Sequence, residues 1–257
     1  MKIDWVIEKE EVLRIKRFMK LFKNHPLVQR RLLKNVKLEY IPDVGKERIW
    51  FVLLTCLLST QQRSGASSPL YKFCSQKPFP LNYHKCFMNK KRLRLLIENK
   101  LTEFGGIRRA HTIGIQSAKN FKWVDEDWAK LKKFIEDLLK QRRCSPKFKH
   151  IEAERNCAHY IQDNFFGFGP KQSRNFWQTL GLFRFEIPID SRITKWLNKN
   201  KFPVVLTASA LSDINYYEFI MTGIQEICKE CNILPCILDA AVFASYEKNW
   251  PENENIW

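Results

Sequence analysis

The chain has 257 residues, 45% of them hydrophobic and 28% charged, the balance of a soluble globular protein with room for one large domain or two ordinary ones. Lys and Arg number 44 against 27 Asp and Glu, a net charge of +17; this points to a polyanionic partner, and bases spread along the whole chain disfavour a membrane surface. No apolar run approaches the ~18 residues of a membrane span, Met1-Lys2-Ile3-Asp4-Trp5 lacks the apolar segment of a secretory signal, and eight cysteines in such a chain are expected as reduced thiols, so an intracellular protein is expected.

Residues 8–23 carry Val12, Ile15, Met19 and Phe22 on one face at helical spacing, with acids in the first turn and bases in the last, as the helix dipole prefers. Asn24-His25-Pro26 reads as its stop, followed by a basic segment and a turn around Pro42-Asp43-Val44-Gly45. Residues 47–58 are almost wholly apolar and carry no charge after Arg48, the pattern of a helix buried on most sides. That helix ends abruptly in Ser59-Thr60-Gln61-Gln62-Arg63-Ser64-Gly65, either a plain polar loop or a set of amides and a base presented to DNA by Gln61, Gln62 and Arg63. Further helices are expected over 90–101, 110–121, 125–140 and 151–164, the first ended by the paired Gly105 and Gly106. A basic loop, 141–149, precedes the last of these. After Asp190 come helices at about 191–199, 213–231 and 235–247, then a polar tail from Asn249 to Trp257. No alternating strand pattern, repeat or low-complexity run interrupts the series, so the fold class is all-α.

The chemistry gathers between Phe165 and Asp190. Gly167 and Gly169 flank one apolar residue between two helices; they make an ordinary turn, or a site where the backbone nears a phosphate and offers it N–H groups. Pro170 suits the first helical position and puts Lys171 in the first turn. The dipole there disfavours a protonated amine, which suits a neutral nucleophile better than a surface cation, although a phosphate-contacting lysine is the simpler use. Asp190, after Ile187-Pro188-Ile189, falls at a helix N-cap, where backbone N–H groups keep a carboxylate ionised.

Gly167-Phe168-Gly169-Pro170-Lys171, followed 19 residues later by Asp190 in Pro188-Ile189-Asp190, resembles the helix-hairpin-helix DNA glycosylases of the endonuclease III superfamily, and most closely their 8-oxoguanine DNA glycosylase/AP lyase branch. The resemblance implies that Lys171 attacks C1′ of the damaged nucleotide and that Asp190 stabilises the oxocarbenium-like transition state. It implies a Schiff base with β-elimination of the strand. Leu57-Leu58-Ser59-Thr60-Gln61-Gln62 is similar to the family segment whose amide fills the gap left by the extruded base, with Gln61 as the match. Phe104-Gly105-Gly106-Ile107-Arg108 resembles a stretch of the archaeal-type enzymes, and Leu238-Asp239-Ala240-Ala241-Val242-Phe243 their C-terminal helix, which makes Asp239 and Phe243 the base-pocket residues. Many relatives carry an iron–sulfur loop spaced C-x6-C-x2-C-x5-C; here Cys228, Cys231 and Cys236 have no fourth member and Met221 stands where the first would fall, so no metal or other cofactor is expected. The implied partner is double-stranded DNA containing a damaged base, bound by a monomer in a cleft between a central bundle of residues 46–184 and a second domain of residues 1–45 plus 185–257. A glycosylase for another lesion, or a DNA-binding module without catalysis, remains the alternative.

Overall fold

A computed structural model describes residues 5–247 and residue 250; residues 1–4 and, apart from Trp250, the tail expected from Asn249 onward lie outside the described residues. Helices account for the structure, and the described residues contain no strand. The N-terminal helix α1 (Lys9–Phe22) opens with a capping box, the Glu8 N–H donating to the Glu11 carboxylate at 3.1 Å. The sequence reads Pro26 as a stop, yet Pro26 starts a second helix at once. In α2 (Pro26–Arg31) the proline sits in the first turn, where its missing N–H costs nothing, and the His25 ring accepts from the Leu27 N–H at 3.3 Å. A π-helical turn over Leu32–Val36 continues it.

Helix α3 (Lys46–Leu58) buries Ile49, Trp50 and every residue from Val52 to Leu58. Each fully buried large apolar side chain contributes roughly 1.5–3 kcal/mol, so α3 is the spine of the first core. Around it lie α4 (Pro69–Cys74), α5 (Tyr83–Met88), α6 (Leu93–Phe104), α7 (Ala110–Asn120), α8 (Trp128–Arg142), α9 (Ile151–Asn164) and α10 (Pro170–Thr179). The short α4 and α5 are absent from the sequence reading. Each has six residues, too few to show a helical period, and each depends on a side-chain cap, Ser68 to the Tyr71 N–H and Asn82 to the Lys85 N–H. Helix α6 ends where Gly105 and Gly106 take φ of +78° and +71°.

The buried apolar residues form two main clusters. The first runs from Ile49 to Phe183. The second joins Ile15 of α1 to Ile187 and Ile189 and to α11 (Ser191–Lys199), α12 (Ile214–Cys231) and α13 (Pro235–Tyr246). A small third cluster packs Val28 of α2 on Ala240, Ala241 and Ala244 of α13. Cys228, Cys231 and Cys236 are buried in the second cluster, and among the described residues no group of His, Cys, Asp or Glu is arranged to hold a metal ion. No helix among them is long and apolar enough to cross a membrane.

The chain passes from one core to the other through residues 184–190, and buried polar groups fix that crossing. The Glu154 carboxylate accepts the backbone N–H groups of Arg184, Phe185 and Glu186 at 2.8–2.9 Å. The Glu186 carboxylate, fully buried, takes Arg174 Nε at 2.7 Å, Arg155 Nη2 at 3.2 Å and Gln225 Nε2 at 3.0 Å. The Tyr217 hydroxyl donates to the Ile187 carbonyl at 2.8 Å and accepts the Ile189 N–H at 2.7 Å. Together these tie α9, α10 and α12 to the strip of chain that delivers Asp190.

Candidate active site

The turn between α9 and α10 is built from its aromatics. Phe165 and Phe168 are buried and meet edge to face at 5.5 Å, and Phe165 stacks on Trp123. The Phe166 backbone is held at both ends by Asn120, whose Oδ1 accepts its N–H at 2.8 Å and whose Nδ2 donates to its carbonyl at 2.9 Å. The two glycines then differ. Gly167 sits at φ +83°, a conformation that strains any residue with a Cβ, and a Cβ there would also push aside the amide end of Gln116, 2.5 Å away. Gly169 is extended, with φ −94° and ψ −170°, and a Cβ on it would meet nothing within 4 Å. Its backbone faces open space, as a close approach by a ligand requires.

Lys171 follows in the first turn of α10, partly buried. The next residue anchors it: Gln172 Nε2 donates to the Cys56 carbonyl and to Thr60 Oγ1, both at 2.8 Å, which binds the start of α10 to the end of α3. The polar patch after α3 is thereby drawn to the lysine's end of α10. Burial lowers the Lys171 pKa, and the Arg192 charge lowers it further against the opposing pull of Asp190, Cys56 and Asp239. No hydrogen bond or ion pair engages its amine among the described residues. A desolvated, unengaged lysine of depressed pKa is a nucleophile's environment.

Asp190 caps α11 as the spacing predicts. Its Oδ1 accepts the Arg192 and Ile193 N–H groups at 2.8 and 3.1 Å. Burial alone would raise its pKa, but Arg192, Lys171 and the Ile193 N–H outweigh it and hold the carboxyl below its ordinary value. The site thus pairs an amine pushed toward neutrality with a carboxylate held ionised.

Asp239 of α13 also reaches this neighbourhood. Burial pushes its carboxyl up to about 6, with the Asp190 charge adding to the rise, while Arg31 at 3.5 Å, Arg192 and Gln178 oppose it. Four residues on, Phe243 is covered on one face by the Arg192 guanidinium, 3.7 Å from its ring centroid. Trp250 lies perpendicular to it with ring centroids 5.4 Å apart and in turn meets Tyr71 of α4 at 6.4 Å. The sequence reading missed Arg31, Gln178 and Arg192. Arg192 alone carried a local signal, a cation in the first turn of a helix whose dipole disfavours it.

The loop residues separate. Gln61 is exposed in the left-handed conformation at φ +60°, and Arg63 is exposed as well. Gln62 instead ties two loops together: its Nε2 donates to the Leu58 carbonyl and its Oε1 accepts the Arg108 N–H at 3.0 Å. A cavity of about 960 Å³ lies elsewhere, at the far end of α10, walled by Arg30, Lys34, Lys37, Arg48, Thr179 and Leu180.

The fold that carries this site is the all-helical fold of the 8-oxoguanine DNA glycosylases. The chain is similar to the crystal structure of the 8-oxoguanine DNA glycosylase of Methanocaldococcus jannaschii, with a TM-score of 0.67 and 15% identity over 94% of this chain and 97% of that one. It is similar also to the M. jannaschii 8-oxoguanine glycosylase/lyase in complex with a 15mer DNA containing 8-oxoguanine (TM-score 0.61, 14% identity, 90% and 96% covered). The 8-oxoguanine DNA glycosylase of Thermotoga maritima gives a TM-score of 0.64 at 14% identity, covering 94% of this chain and 98% of that chain. No protein-family profile matches the sequence, and no curated protein matches it either.

Proposed function

We propose that the protein is a DNA glycosylase with AP lyase activity that removes an oxidised purine, 8-oxoguanine, from double-stranded DNA. The observation that carries this reading is the pairing of Lys171 and Asp190: an unengaged amine in the first turn of α10 and a carboxylate at the N-cap of α11, close enough for each charge to act on the other, both with lowered pKa. Pure DNA affinity has no use for that pair, because the carboxylate repels phosphate. Opening a glycosidic bond through a covalent amine adduct uses both.

In the proposed reaction the neutral Lys171 Nζ donates its electron pair to C1′ as the bond from C1′ to the base breaks and the base leaves with that bond's electrons, taking up a proton. Asp190 offsets the positive charge that develops on the sugar. Loss of the amine proton and opening of the sugar ring give the Schiff base. Removal of a C2′ proton then expels the 3′ phosphate by β-elimination. The target nucleotide has to leave the duplex first, at about a few kcal/mol. Exposed Gln61 would fill the gap, Arg63, Gly167 and Gly169 would hold the backbone, and Asp239 with Phe243 would receive the base. Gln62 would act on DNA indirectly, by fixing the loop that presents Gln61. The DNA would run along the cleft between the central bundle and the second domain, bound by a single copy of the chain. The likeness to 8-oxoguanine enzymes, one of them a glycosylase/lyase structure with lesion-containing DNA, supports this choice of base.

Borohydride trapping tests the proposal. Wild type should form a covalent adduct with duplexes carrying 8-oxoguanine or an abasic site, and Lys171→Gln should form none. A panel adding thymine glycol, uracil and an A mismatch then reads the base. Trapping confined to another lesion reassigns the substrate, and no adduct with any duplex removes the lyase.

A further inference from the structure

Arg192 belongs to two parts of the site at once. Its Nε and Nη2 donate to Asp190 Oδ2 at 2.8 and 2.6 Å, while its guanidinium covers the Phe243 ring face at 3.7 Å. Asp190 Oδ1 is already taken by two helix N–H groups, so both carboxylate oxygens are engaged. A carboxylate paired this closely with a guanidinium has little charge left to offer a second cation. The face of Phe243 covered by Arg192 is one on which a flat base would stack, and Trp250 packs perpendicular to the same ring. Arg192 has no helix-based reason for its place, because a cation in the first turn of α11 opposes the dipole and Asp190 already caps that end.

We propose that Arg192 is a positioning residue that gates the site: the incoming base takes its place on Phe243, and the same displacement uncovers Asp190 Oδ2. The inference rests on the glycosylase reading above and adds a coupling to it. Asp190 becomes available to the sugar only when a base fills the slot, so an undamaged backbone or an empty slot leaves the carboxylate masked. The exchange is of like for like, one planar group for another on the same ring, and the guanidinium released is free to pair with a DNA phosphate.

The test compares a substrate that has a base with one that has none. Wild type, Arg192→Ala and Arg192→Lys are assayed under single-turnover conditions on duplexes bearing 8-oxoguanine or an abasic site, with borohydride trapping as the common readout. On abasic DNA nothing displaces Arg192, so Arg192→Ala should trap about tenfold faster than wild type, the size expected from releasing one charge-assisted pair. On the base-bearing duplex the gain should be several-fold smaller than on abasic DNA, because the base already does the displacing. The acid limb of the pH–rate profile should also move to higher pH. With Arg192 gone, Lys171 of α10 is the chief cation left acting on Asp190, with Asp239 of α13 as a like charge. Arg192→Lys keeps the ion pair and should leave that limb near wild type. Equal slowing of both substrates by Arg192→Ala, with folding and pH profile unchanged, makes Arg192 a plain support and overturns the gate. No adduct from wild type on either duplex removes the glycosylase reading and the gate with it.

Discussion

Replacing Glu186 with Gln removes one negative charge from the crossing between the two cores and leaves the shape intact. Glu186 is fully buried and receives Arg174, Arg155 and Gln225. Arg174 is fully buried too, and Arg155 keeps 24% of its side chain exposed. The cost therefore falls on Arg174, because Arg155 can turn to water. An unpaired buried charge costs about 3–5 kcal/mol. Two neighbours reduce this: Glu218 Oε1 at 3.8 Å from Arg174 Nη2, and the Tyr217 ring 4.6 Å below the guanidinium. A loss of about 3 kcal/mol, at the low end, is the expectation. For a chain of this size that lowers Tm by about 6–12 °C. Urea titration followed by circular dichroism measures it, and the slope of the transition should not change. Replacing both partners, in Arg174→Met with Glu186→Leu, should recover most of the loss, since the apolar pair leaves no charge unpaired inside. A single-variant loss below about 1 kcal/mol, or a double variant no better than the single, refutes the view that this pair holds the crossing.

Three further outcomes follow from the geometry. Gly167→Ala should lose about 1–3 kcal/mol of stability, from the strained φ and the clash with Gln116, whereas Gly169→Ala should be nearly neutral in stability and lower DNA affinity; thermal melts and a fluorescence-anisotropy titration separate the two. The raised Asp239 pKa means that the native chain holds this proton more tightly than the unfolded one. The stabilisation is complete below the ordinary 3.8 and is lost as pH rises through about 6, so Asp239→Asn should flatten the stability profile across that window; an unchanged profile would show that Asp239 is not buried in this way. Binding to a duplex should weaken steeply with salt: with about six phosphate contacts, affinity should fall about a thousandfold between 50 and 200 mM, and a flat response would exclude a backbone-dominated interface.

Much of the fold was legible because its long helices bury a stripe and leave the rest wet. Val12, Ile15 and Met19 marked α1, and the unbroken apolar run marked α3. The first turn of α2 was misread because Pro26 looks the same whether it stops one helix or starts another; the His25 cap decides it, and a histidine is an unusual cap. In the site, Lys171 and Asp190 stood out because each occupies a helix N-terminus, a position that can be read from local sequence. Their support could not be read that way. Glu154 and Arg174 sit among polar neighbours and pass for a solvated face, Glu186 between Phe185 and Ile187 passes for the outward residue of an apolar run, and only contacts across 12 to 39 residues show that they are inside. Arg31 and Asp239 meet across the whole chain.

The Glu154 carboxylate, gathering three consecutive N–H groups of the crossing, has a consequence for how a duplex could be accommodated. A joint laced from α9, α10 and α12 at once resists bending, because swinging the two cores apart to fit a straight rod would break several buried hydrogen bonds together. In the proposed complex the compliance then has to come from the DNA. Bending a site of 20–30 base pairs by 40–90° costs about 1–6 kcal/mol, depending on sequence. A rigid cleft would therefore select by softness as well as by chemistry, engaging lesions beside flexible pyrimidine–purine steps more readily than the same lesion set in a stiff A-tract.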